Sequence, residues 1–379
     1  MTNSISWEAA ALSTWGNDLK ISIFGESHGP GIGVVIDGLP AGLPIDREEL
    51  AAFMARRAPG RDKASTPRRE TDRPELLSGV RGGVTTGTPL AALIRNNDTH
   101  SSDYGEFASA ARPGHADYTG FLRYAGWGDV RGGGHFSGRL TAPLVFAGGI
   151  AKQLLAREGV YVGAHIARCA GVADAAFDPV RLDRETLLRP GASAFPTLDA
   201  AAGERMREEI EAARMSTDSV GGVVECGVVG FPAGVGSPMF DGLENRIASI
   251  VFGIPAVKGL EFGDGFAAAE LRGSEHNDPF RLADGRVVTE TNHAGGILGG
   301  ISSGMPILLR AAFKPTASIA KPQRTVDFRE NAERELVVKG RHDPCVVVRA
   351  VPVVEAAVSL ALADALLGAR GYEGLQNRK

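Results

Sequence analysis

Five of the eight histidines lie in polar segments rich in glycine or proline, the type of segment that presents a side chain at a turn. Histidine is the side chain best suited to move a proton near neutral pH. Ser27 and His28 follow an apolar run at 19–24, so a short strand would deliver a hydroxyl and an imidazole to a glycine-dense turn. One such turn is equally explained by a histidine that only bonds loop carbonyls, but the recurrence of the pattern favours proton-transfer chemistry. The five are His28, His115, His135, His293 and His342.

A basic cluster at 56–73 supplies groups that bind anions. Guanidinium groups bind phosphate and carboxylate in a bidentate manner. Taken alone, the cluster is better explained as a solvated charged loop, because acidic residues are interspersed in it. Beside the histidine-glycine turns, it indicates a small polyanionic substrate. The basic residues are Arg56, Arg57, Arg61, Lys63, Arg68, Arg69 and Arg73.

Three further segments combine charge with turn residues. The glycine-rich stretch at 131–139 precedes a predicted helix at 140–158, and a glycine loop at a helix N-terminus binds anions through free N–H groups. It matches neither the Walker loop nor the dinucleotide fingerprint. Lys314 and Thr316 follow a predicted strand and either contact phosphate or form a turn. Asp343 precedes a proline, so it either acts as a base, orients a histidine or begins a turn.

Composition excludes several classes of protein. The chain has 379 residues, of which 43% are hydrophobic and 23% charged, which is typical of a globular protein. The net charge of −4 and the 6% aromatic content argue against nucleic-acid binding. Three widely spaced cysteines argue against disulfides and a zinc cluster, and fit a reducing cytosol. We expect no signal peptide and no membrane span, because the longest apolar runs are too short.

Two halves of the chain repeat the same motifs in the same order. The segment 33–42 resembles 222–234, and 82–90 resembles 299–307. We therefore predict a single domain over 1–379, with an internal duplication of halves at roughly 18–165 and 215–369 and a peripheral insertion at roughly 174–214. The alternation of elements predicts a mixed α/β fold. The predicted helices are 46–58, 140–158, 204–214, 242–252 and 355–369, and the predicted strands include 19–24, 160–166, 307–312 and 345–348. His165, inside one of these apolar runs, is predicted to be a core residue.

Six motifs together resemble the chorismate synthase family. They occur in the family's order and extend over roughly residues 18–367. They are Gly25-Glu26-Ser27-His28-Gly29, Arg112-Pro113-Gly114-His115-Ala116-Asp117-Tyr118, Arg131-Gly132-Gly133-Gly134, Asn292-His293-Ala294-Gly295-Gly296-Ile297, Lys314-Pro315-Thr316 and Gly340-Arg341-His342-Asp343-Pro344-Cys345.

The resemblance implies a carbon–oxygen lyase acting on a phosphate ester. Enolpyruvylshikimate phosphate would lose phosphate and a ring hydrogen in an anti-1,4 elimination that gives chorismate, the last step of the shikimate pathway. Reduced FMN would be required, since the departing hydrogen is not acidic and the phosphate is a sluggish leaving group. Members of the family have a four-layer β-α-β-α sandwich with a duplicated core, and they are usually cytoplasmic homotetramers.

The resemblance also implies roles for individual residues. His28 would protonate the departing phosphate, His115 would stabilise the reduced flavin, Asp343 would assist proton movement at the flavin, and Ser27 would support them by hydrogen bonding. The substrate, or NADPH, would be bound by Arg57, Lys63, Arg139 and Arg341. The flavin would be contacted by His135, Phe136, Ser137, Pro255, Ala256, Gly299, Lys314, Pro315, Thr316, Ala317, Ser318 and Arg341.

The chain departs from the commoner family pattern near the expected flavin and anion contacts. Lys63 replaces an arginine, which keeps the charge but loses bidentate geometry. The other departures are His135, Phe136, Leu140, Pro255 and Ala317. The resemblance leaves open whether NADPH reduces the flavin on this protein or a separate flavin reductase supplies it.

Two other functions remain as alternatives. Histidines and carboxylates near His28 and His115 fit a metal-dependent hydrolase, although the chain has no HExxH motif or tight ligand spacing. The arginine cluster and glycine loops fit a non-catalytic binding protein for anionic metabolites. The latter does not account for so many proton-transfer groups in the same loops.

Overall fold

The structure is a computed structural model that describes residues 13–58, 72–96, 109–338 and 343–376. The helices are α1 (Arg47–Arg57), α2 (Asp117–Arg123), α3 (Thr141–Arg157), α4 (Arg184–Leu188), α5 (Ala200–Met215), α6 (Leu243–Val251), α7 (Gly273–His276) and α8 (Val347–Gln376). The strands are β1 (Thr14–Trp15), β2 (Lys20–Gly25), β3 (Gly31–Asp37), β4 (Pro74–Ser78), β5 (Val80–Arg81), β6 (Val84–Thr85), β7 (Leu90–Arg95), β8 (Tyr161–Cys169), β9 (Val172–Ala173), β10 (Gly222–Val229), β11 (Val257–Phe262), β12 (Phe280–Ala283), β13 (Arg286–Thr289), β14 (Ile297–Leu298), β15 (Ile301–Ser302), β16 (Ile307–Phe313), β17 (Gln323–Asp327) and β18 (Ala332–Leu336).

Within these ranges, ten of the strands form two five-stranded antiparallel sheets. The first has the order β1-β2-β3-β7-β4 and the second the order β11-β16-β10-β8-β9. In β3, Ile32, Val34 and Ile36 are buried, while Val35 on the opposite face is only half-buried. This alternation is typical of a sheet with one face on the core. In β10, consecutive residues at 224–228 are buried, so the second sheet is covered on both faces.

Helices fill the space between the two sheets. α3 packs on β2, β3 and β7, and α8 packs on β8 and β10, while α3 and α8 also pack on each other. The segment Val347–Arg370 of α8 is apolar and long enough to cross a membrane, but 94% of its most apolar window is buried inside the protein. It is therefore the central core helix. On the far side of the second sheet, α4 contacts β8 and β10, which completes a β-α-β-α sandwich.

The two sheets share one connectivity. The order β2-β3-β7-β4 in the first sheet matches β8-β10-β16-β11 in the second. α1 follows β3 as α6 follows β10, and α3 follows β7 as α8 follows β16. This equivalence supports the duplicated core.

The same turn chemistry occurs in both halves. The Thr85 hydroxyl accepts from the Leu43 N–H at 2.9 Å and donates to a backbone carbonyl. The Ser302 hydroxyl accepts from the Val235 N–H at 3.0 Å and donates likewise. The bounds of the repeat and of the insertion stay a prediction, and the proposed boundary at 165 falls inside β8, which belongs to the second sheet.

Helix boundaries follow from capping. α1 begins after Asp46, whose carboxylate accepts from the N–H groups of Glu48 and Glu49, and α3 ends at Arg157 close to the predicted position. The predicted strand at 345–348 is wrong, because α8 already begins at Val347. A short β-branched run does not distinguish a strand from a buried helix, and packing between the two sheets overrides the strand preference of valine.

Candidate active site

A cavity of about 570 Å³ opens where β16 ends, beside the first turns of α3 and α8. Its wall collects residues from distant parts of the chain. Besides Arg57, they come from the stretches 112–116, 132–141, 252–258, 313–318 and 343–353. The duplicated fold thus brings together segments that are separated by more than two hundred positions.

The cavity is strongly cationic. Among the described residues that line it, six are lysines or arginines and one is a carboxylate, Asp343. Such a wall favours an anionic ligand and would increase its local concentration. The six cations are Arg57, Arg112, Arg139, Lys258, Lys314 and Arg349.

His115 is oriented by a buried carboxylate. Its Nδ1 lies 2.7 Å from Asp117 Oδ1, and Asp117 is bound from the other side by Arg112. Burial opposes ionisation of Asp117, but the hydrogen bonds from Arg112 and His115 hold its pKa well below the usual range. Arg112 Nη2 also lies 3.1 Å from this Nδ1, but the shorter contact is to the ionised carboxylate, which only accepts; it favours a proton on Nδ1 and leaves Nε2 toward Gly133.

His28 is oriented by a neutral relay. The Ser27 hydroxyl donates to the Arg131 carbonyl at 3.2 Å, so its oxygen accepts from His28 Nδ1 at 3.0 Å. Both side chains are buried. Gly132, a lining residue, has φ +60°, and a Cβ there would lie 2.1 Å from the His28 ring. Gly132 of the cavity lining is therefore in close contact with the His28 ring.

The residues after this loop are fixed by hydrogen bonds. His135 Nδ1 lies 2.8 Å from the Gly25 carbonyl, which requires a proton on Nδ1, and its Nε2 lies 2.9 Å from the Ser13 hydroxyl. Ser137 caps the short turn before α3 and accepts from the Arg139 N–H. All three side-chain positions from His135 to Ser137 line the cavity. Hydrogen bonds therefore hold His135 and Ser137 in place in the cavity wall.

Arg57 and Arg139 converge on one buried carboxylate, Asp72. Arg57 Nη1 donates to one Asp72 oxygen and Arg139 Nη1 to the other. Arg57 Nε also donates to Thr141 at 3.0 Å, and Arg139 Nε to Asn96 at 3.2 Å. Burial opposes ionisation of Asp72, but the two guanidinium groups lower its pKa overall. Both arginines are therefore held against the cavity wall.

Asp343 is likewise held by an arginine, Arg349, which lies in the first turn of α8. Arg349 Nη1 donates to Asp343 Oδ2 at 2.6 Å, and Arg349 Nε donates to the Arg57 carbonyl at 2.8 Å. This arrangement joins the end of α1 to the start of α8. It places a carboxylate with an ion-pair partner in an otherwise cationic wall.

The segment 314–318 fits a large polar ligand. Lys314 Nζ donates to the Gly114 carbonyl at 2.5 Å, and burial with the neighbouring Lys258 lowers the Lys314 pKa. Thr316 Oγ1 is buried and has no hydrogen-bond partner among the described residues. A buried hydroxyl of this kind is costly unless a ligand or water satisfies it. The cavity volume lies within the usual range of small-molecule and cofactor sites.

The structure brings most of the predicted site residues together. Ser27 and His28 lie next to Gly132, while Lys63 and Arg341 lie outside the described residues, as does His342. The predicted residues that line the cavity are Arg57, His115, His135, Phe136, Ser137, Arg139, Pro255, Ala256, Lys314, Pro315, Thr316, Ala317, Ser318 and Asp343.

Two predicted positions lie elsewhere. Gly299, a described residue, is not part of the cavity lining, because it lies in the β14–β15 turn before β16 begins. The cavity lies past the other end of that strand, about 20 Å of extended chain away. His293 pairs with Asp264 at 2.7 Å outside the cavity lining. A flavin contact by Gly299 stays a prediction.

Sequence reasoning assigned no role to several residues that shape the site. Asp117 stood in a quoted motif two positions after His115, and that proximity was an available signal. Asp72 and Arg349 gave no such signal, because their contacts with Arg139 and with the Arg57 carbonyl join positions far apart in sequence. The residues without a predicted role are Asp72, Arg112, Asp117, Lys258 and Arg349.

A metal centre receives no support from the described part of the chain. No group of three or more His, Cys, Asp or Glu side chains there is arranged to hold a metal ion. The described histidines near the cavity are instead bound to single carboxylates, hydroxyls or carbonyls.

Comparison with known proteins places the chain in one group of enzymes. The sequence model of chorismate synthase matches residues 19–367. The chorismate synthase of Thermococcus kodakarensis is 50% identical over 360 residues, covering 95% of this chain and 99% of that protein. The chorismate synthase of Pyrococcus abyssi is 50% identical over 358 residues, covering 94% and 98%. A chorismate synthase crystal structure superposes with a TM-score of 0.72 at 29% identity, covering 93% of both chains.

The fold is a four-layer β-α-β-α sandwich with a cationic cavity, and the sequence similarities identify the enzyme family. The chain belongs to the chorismate synthase family. Its activity is that of a carbon–oxygen lyase in aromatic amino-acid biosynthesis.

Proposed function

We propose that the cavity converts enolpyruvylshikimate phosphate into chorismate and inorganic phosphate by an anti-1,4 elimination that requires reduced FMN. The observation that supports this most strongly is the cavity wall itself, which combines six cations with an oriented His115 and an ion-paired Asp343. Gly132 of the same wall is in close contact with His28.

The cations suit a substrate with one phosphate and two carboxylates. Arg57 and Arg139 are buried and immobilised, so they present a fixed pair of guanidinium groups. Fixed donors lose little conformational entropy when an anion binds. We assign substrate binding to this pair together with Lys63 and Arg341, which the family resemblance adds.

The proton donor for the departing phosphate is His28. Its Nδ1 is held by Ser27, so in the protonated ring the Nε2–H is the group that donates to a phosphate oxygen. A proton delivered there would lower the charge on the leaving group. Asp343, the lining carboxylate among the described residues, would assist proton movement at the flavin, the role that the family resemblance gives it.

The flavin is assigned to the part of the wall that carries Thr316. Bound in its reduced state, FMN supplies the electron density that makes loss of a non-acidic hydrogen and an allylic phosphate feasible. His115 Nε2 holds or releases a proton beside it, and Asp117 keeps the ring in place. The residues that would hold the flavin are His135, Phe136, Ser137, Pro255, Ala256, Lys314, Pro315, Thr316, Ala317, Ser318 and Arg341.

We also propose a cytoplasmic homotetramer, by analogy with the family. The source of reducing equivalents is either NADPH bound at the arginine pair or a separate flavin reductase. Spectroscopic monitoring of flavin reduction by NADPH in the purified protein distinguishes the two. Sedimentation velocity measures the oligomeric state.

The test is an anaerobic assay with the substrate and chemically reduced FMN. Inorganic phosphate and chorismate absorbance are followed together. We expect equal amounts of both, with no product from oxidised FMN. Phosphate without chorismate, loss of activity on adding a chelator, or flavin binding without either product would contradict the proposed function.

A further inference from the structure

We propose that Asp72 is a positioning residue for substrate binding, which sets the spacing and orientation of the Arg57 and Arg139 guanidinium groups. Asp72 is buried and is not among the described residues that line the cavity, so it acts through the two arginines. This role rests on the proposed function, because that function assigns the pair to the substrate.

The two arginines come from separate elements. Arg57 is the last residue of α1, and Arg139 lies in the short turn that precedes α3. Two buried guanidinium groups repel each other unless an anion lies between them. Each oxygen of Asp72 accepts from one of them, so a single carboxylate links the two elements.

The other contacts of the pair fix the planes of the guanidinium groups. Thr141 donates its hydroxyl proton to the Gly138 carbonyl at 2.6 Å, so its oxygen accepts from Arg57 Nε. Asn96 accepts from Arg139 Nε. With one carboxylate and two cations, the cluster keeps a net charge of +1 beside the cavity. A cluster with only a structural role would be expected to be neutral or remote from the cavity.

The backbone at Asp72 suits this task. Its φ is +44°, in the left-handed region that asparagine and aspartate tolerate better than most residues. Asp72→Asn therefore preserves shape and backbone while removing the charge. The asparagine amide accepts through one oxygen only, and its NH₂ group would face the N–H donors of one arginine.

We expect Asp72→Asn to weaken substrate binding, measured by calorimetry, about tenfold to a hundredfold. KM should rise in parallel, with a much smaller change in kcat. Asp72→Glu, which keeps the charge, should restore part of the affinity. The matched control is Asp364→Asn, since Asp364 is a buried carboxylate that binds Arg246 and three N–H groups away from the cavity. It should lower the melting temperature without changing KM.

A double-mutant cycle tests whether Asp72 acts through the arginines. In the Arg57→Ala background, Asp72→Asn should cost less affinity than it does alone. Full additivity, or an Asp72→Asn variant that folds and binds substrate as tightly as the wild type, would overturn the positioning role.

The two proposals fail in different ways. If the wild type binds substrate but forms no chorismate, the proposed function fails, while the binding series still decides the role of Asp72. If the wild type forms chorismate and Asp72→Asn has a wild-type KM, the positioning role fails and the function stands.

Discussion

The two imidazoles proposed to be catalytic differ in what holds Nδ1. His28 is held by the neutral Ser27 hydroxyl, whereas His115 is held by the ionised Asp117 carboxylate. The two imidazoles thus have Nδ1 partners of different charge, and we propose that His28 is the one that donates a proton to the leaving group.

His28→Ala and Asp343→Ala should lower turnover far more than they lower substrate binding. Neither residue belongs to the arginine pair, so the loss should appear in kcat, by about a hundredfold for each. Steady-state kinetics beside calorimetry measures the split. Equal losses in kcat and in affinity would mean that these residues only anchor the substrate.

Asp117→Asn should disorient His115. The amide can donate to Nδ1 and so favour the wrong tautomer, and Arg112 also loses its charged partner. We expect kcat to fall about tenfold to a hundredfold, with a shifted pH profile. Asp241→Asn is the control, because Asp241 pairs with Arg246 outside the cavity lining. A wild-type pH profile in Asp117→Asn would rule out the orienting role.

At the residue scale, sequence reasoning named candidate proton-transfer groups and the hydroxyl of Ser27, and it gave no role to the carboxylates Asp117 and Asp72. The glycine-rich context identified His28 and His115, and the quoted motif contained Asp117. Asp72 could not be found, because its importance comes from two arginines that only the folded chain brings to it.

Among the elements, the glycine loop before α3 is the most constrained. Gly132→Ala would place a methyl group against the His28 ring and the Ser27 hydroxyl. Gly82 has nearly the same φ, +59°, with no atom within 4 Å of an added Cβ in the described chain. Both substitutions cost about 1 kcal/mol for the left-handed backbone.

Only Gly132→Ala should also reduce kcat, by at least about tenfold, because it displaces His28. Thermal unfolding and steady-state kinetics on both variants separate the two effects. If the two alanine variants have the same kcat, the loop does not position His28.

The second sheet carries a buried ionic cluster that makes stability depend on pH. His165 is fully buried, as predicted for a core residue, and its two ring nitrogens each lie 2.9 Å from a carboxylate, of Asp174 and of Glu225. Burial disfavours the charged ring, but these two hydrogen bonds outweigh burial and raise the His165 pKa.

A raised folded-state pKa stabilises the fold fully below the unfolded value of about 6.5. The contribution is lost as pH rises through the higher folded value. His165→Gln should therefore lower the free energy of unfolding by about 2–4 kcal/mol at pH 6, with a smaller difference at pH 9. Denaturant titrations at both pH values measure this, with His276→Gln as a half-buried control. A pH-independent difference would contradict the ionic account.

Secondary structure was predictable wherever a chemical signal marks a boundary. The carboxylate of Asp46 marks the start of α1, and Gly159 marks the end of α3. The start of α8 carries no such signal, since valines fit a strand as well as a buried helix. The position of this segment between two sheets makes it a helix, and that position is a property of the whole fold.

For the whole molecule, the matched motifs predicted a duplicated α/β core, and the shared strand order agrees with it. The position of the cavity is harder to predict from sequence. It lies where β16 ends and α8 begins, and it takes Arg57 and the stretches 112–116 and 132–141 from the other half. Gly299 is an example of what sequence does not predict. The family resemblance implies that Gly299 contacts the flavin, but the fold of this chain does not place it near the cavity.

The most direct test of the central claim is a crystal structure of this chain with enolpyruvylshikimate phosphate and FMN bound. We predict density for both in the cavity, with the substrate's anionic groups on Arg57 and Arg139 and the flavin beside Thr316. Binding of either molecule outside this cavity, with Arg57 and Arg139 still bound only to protein groups, would contradict the account.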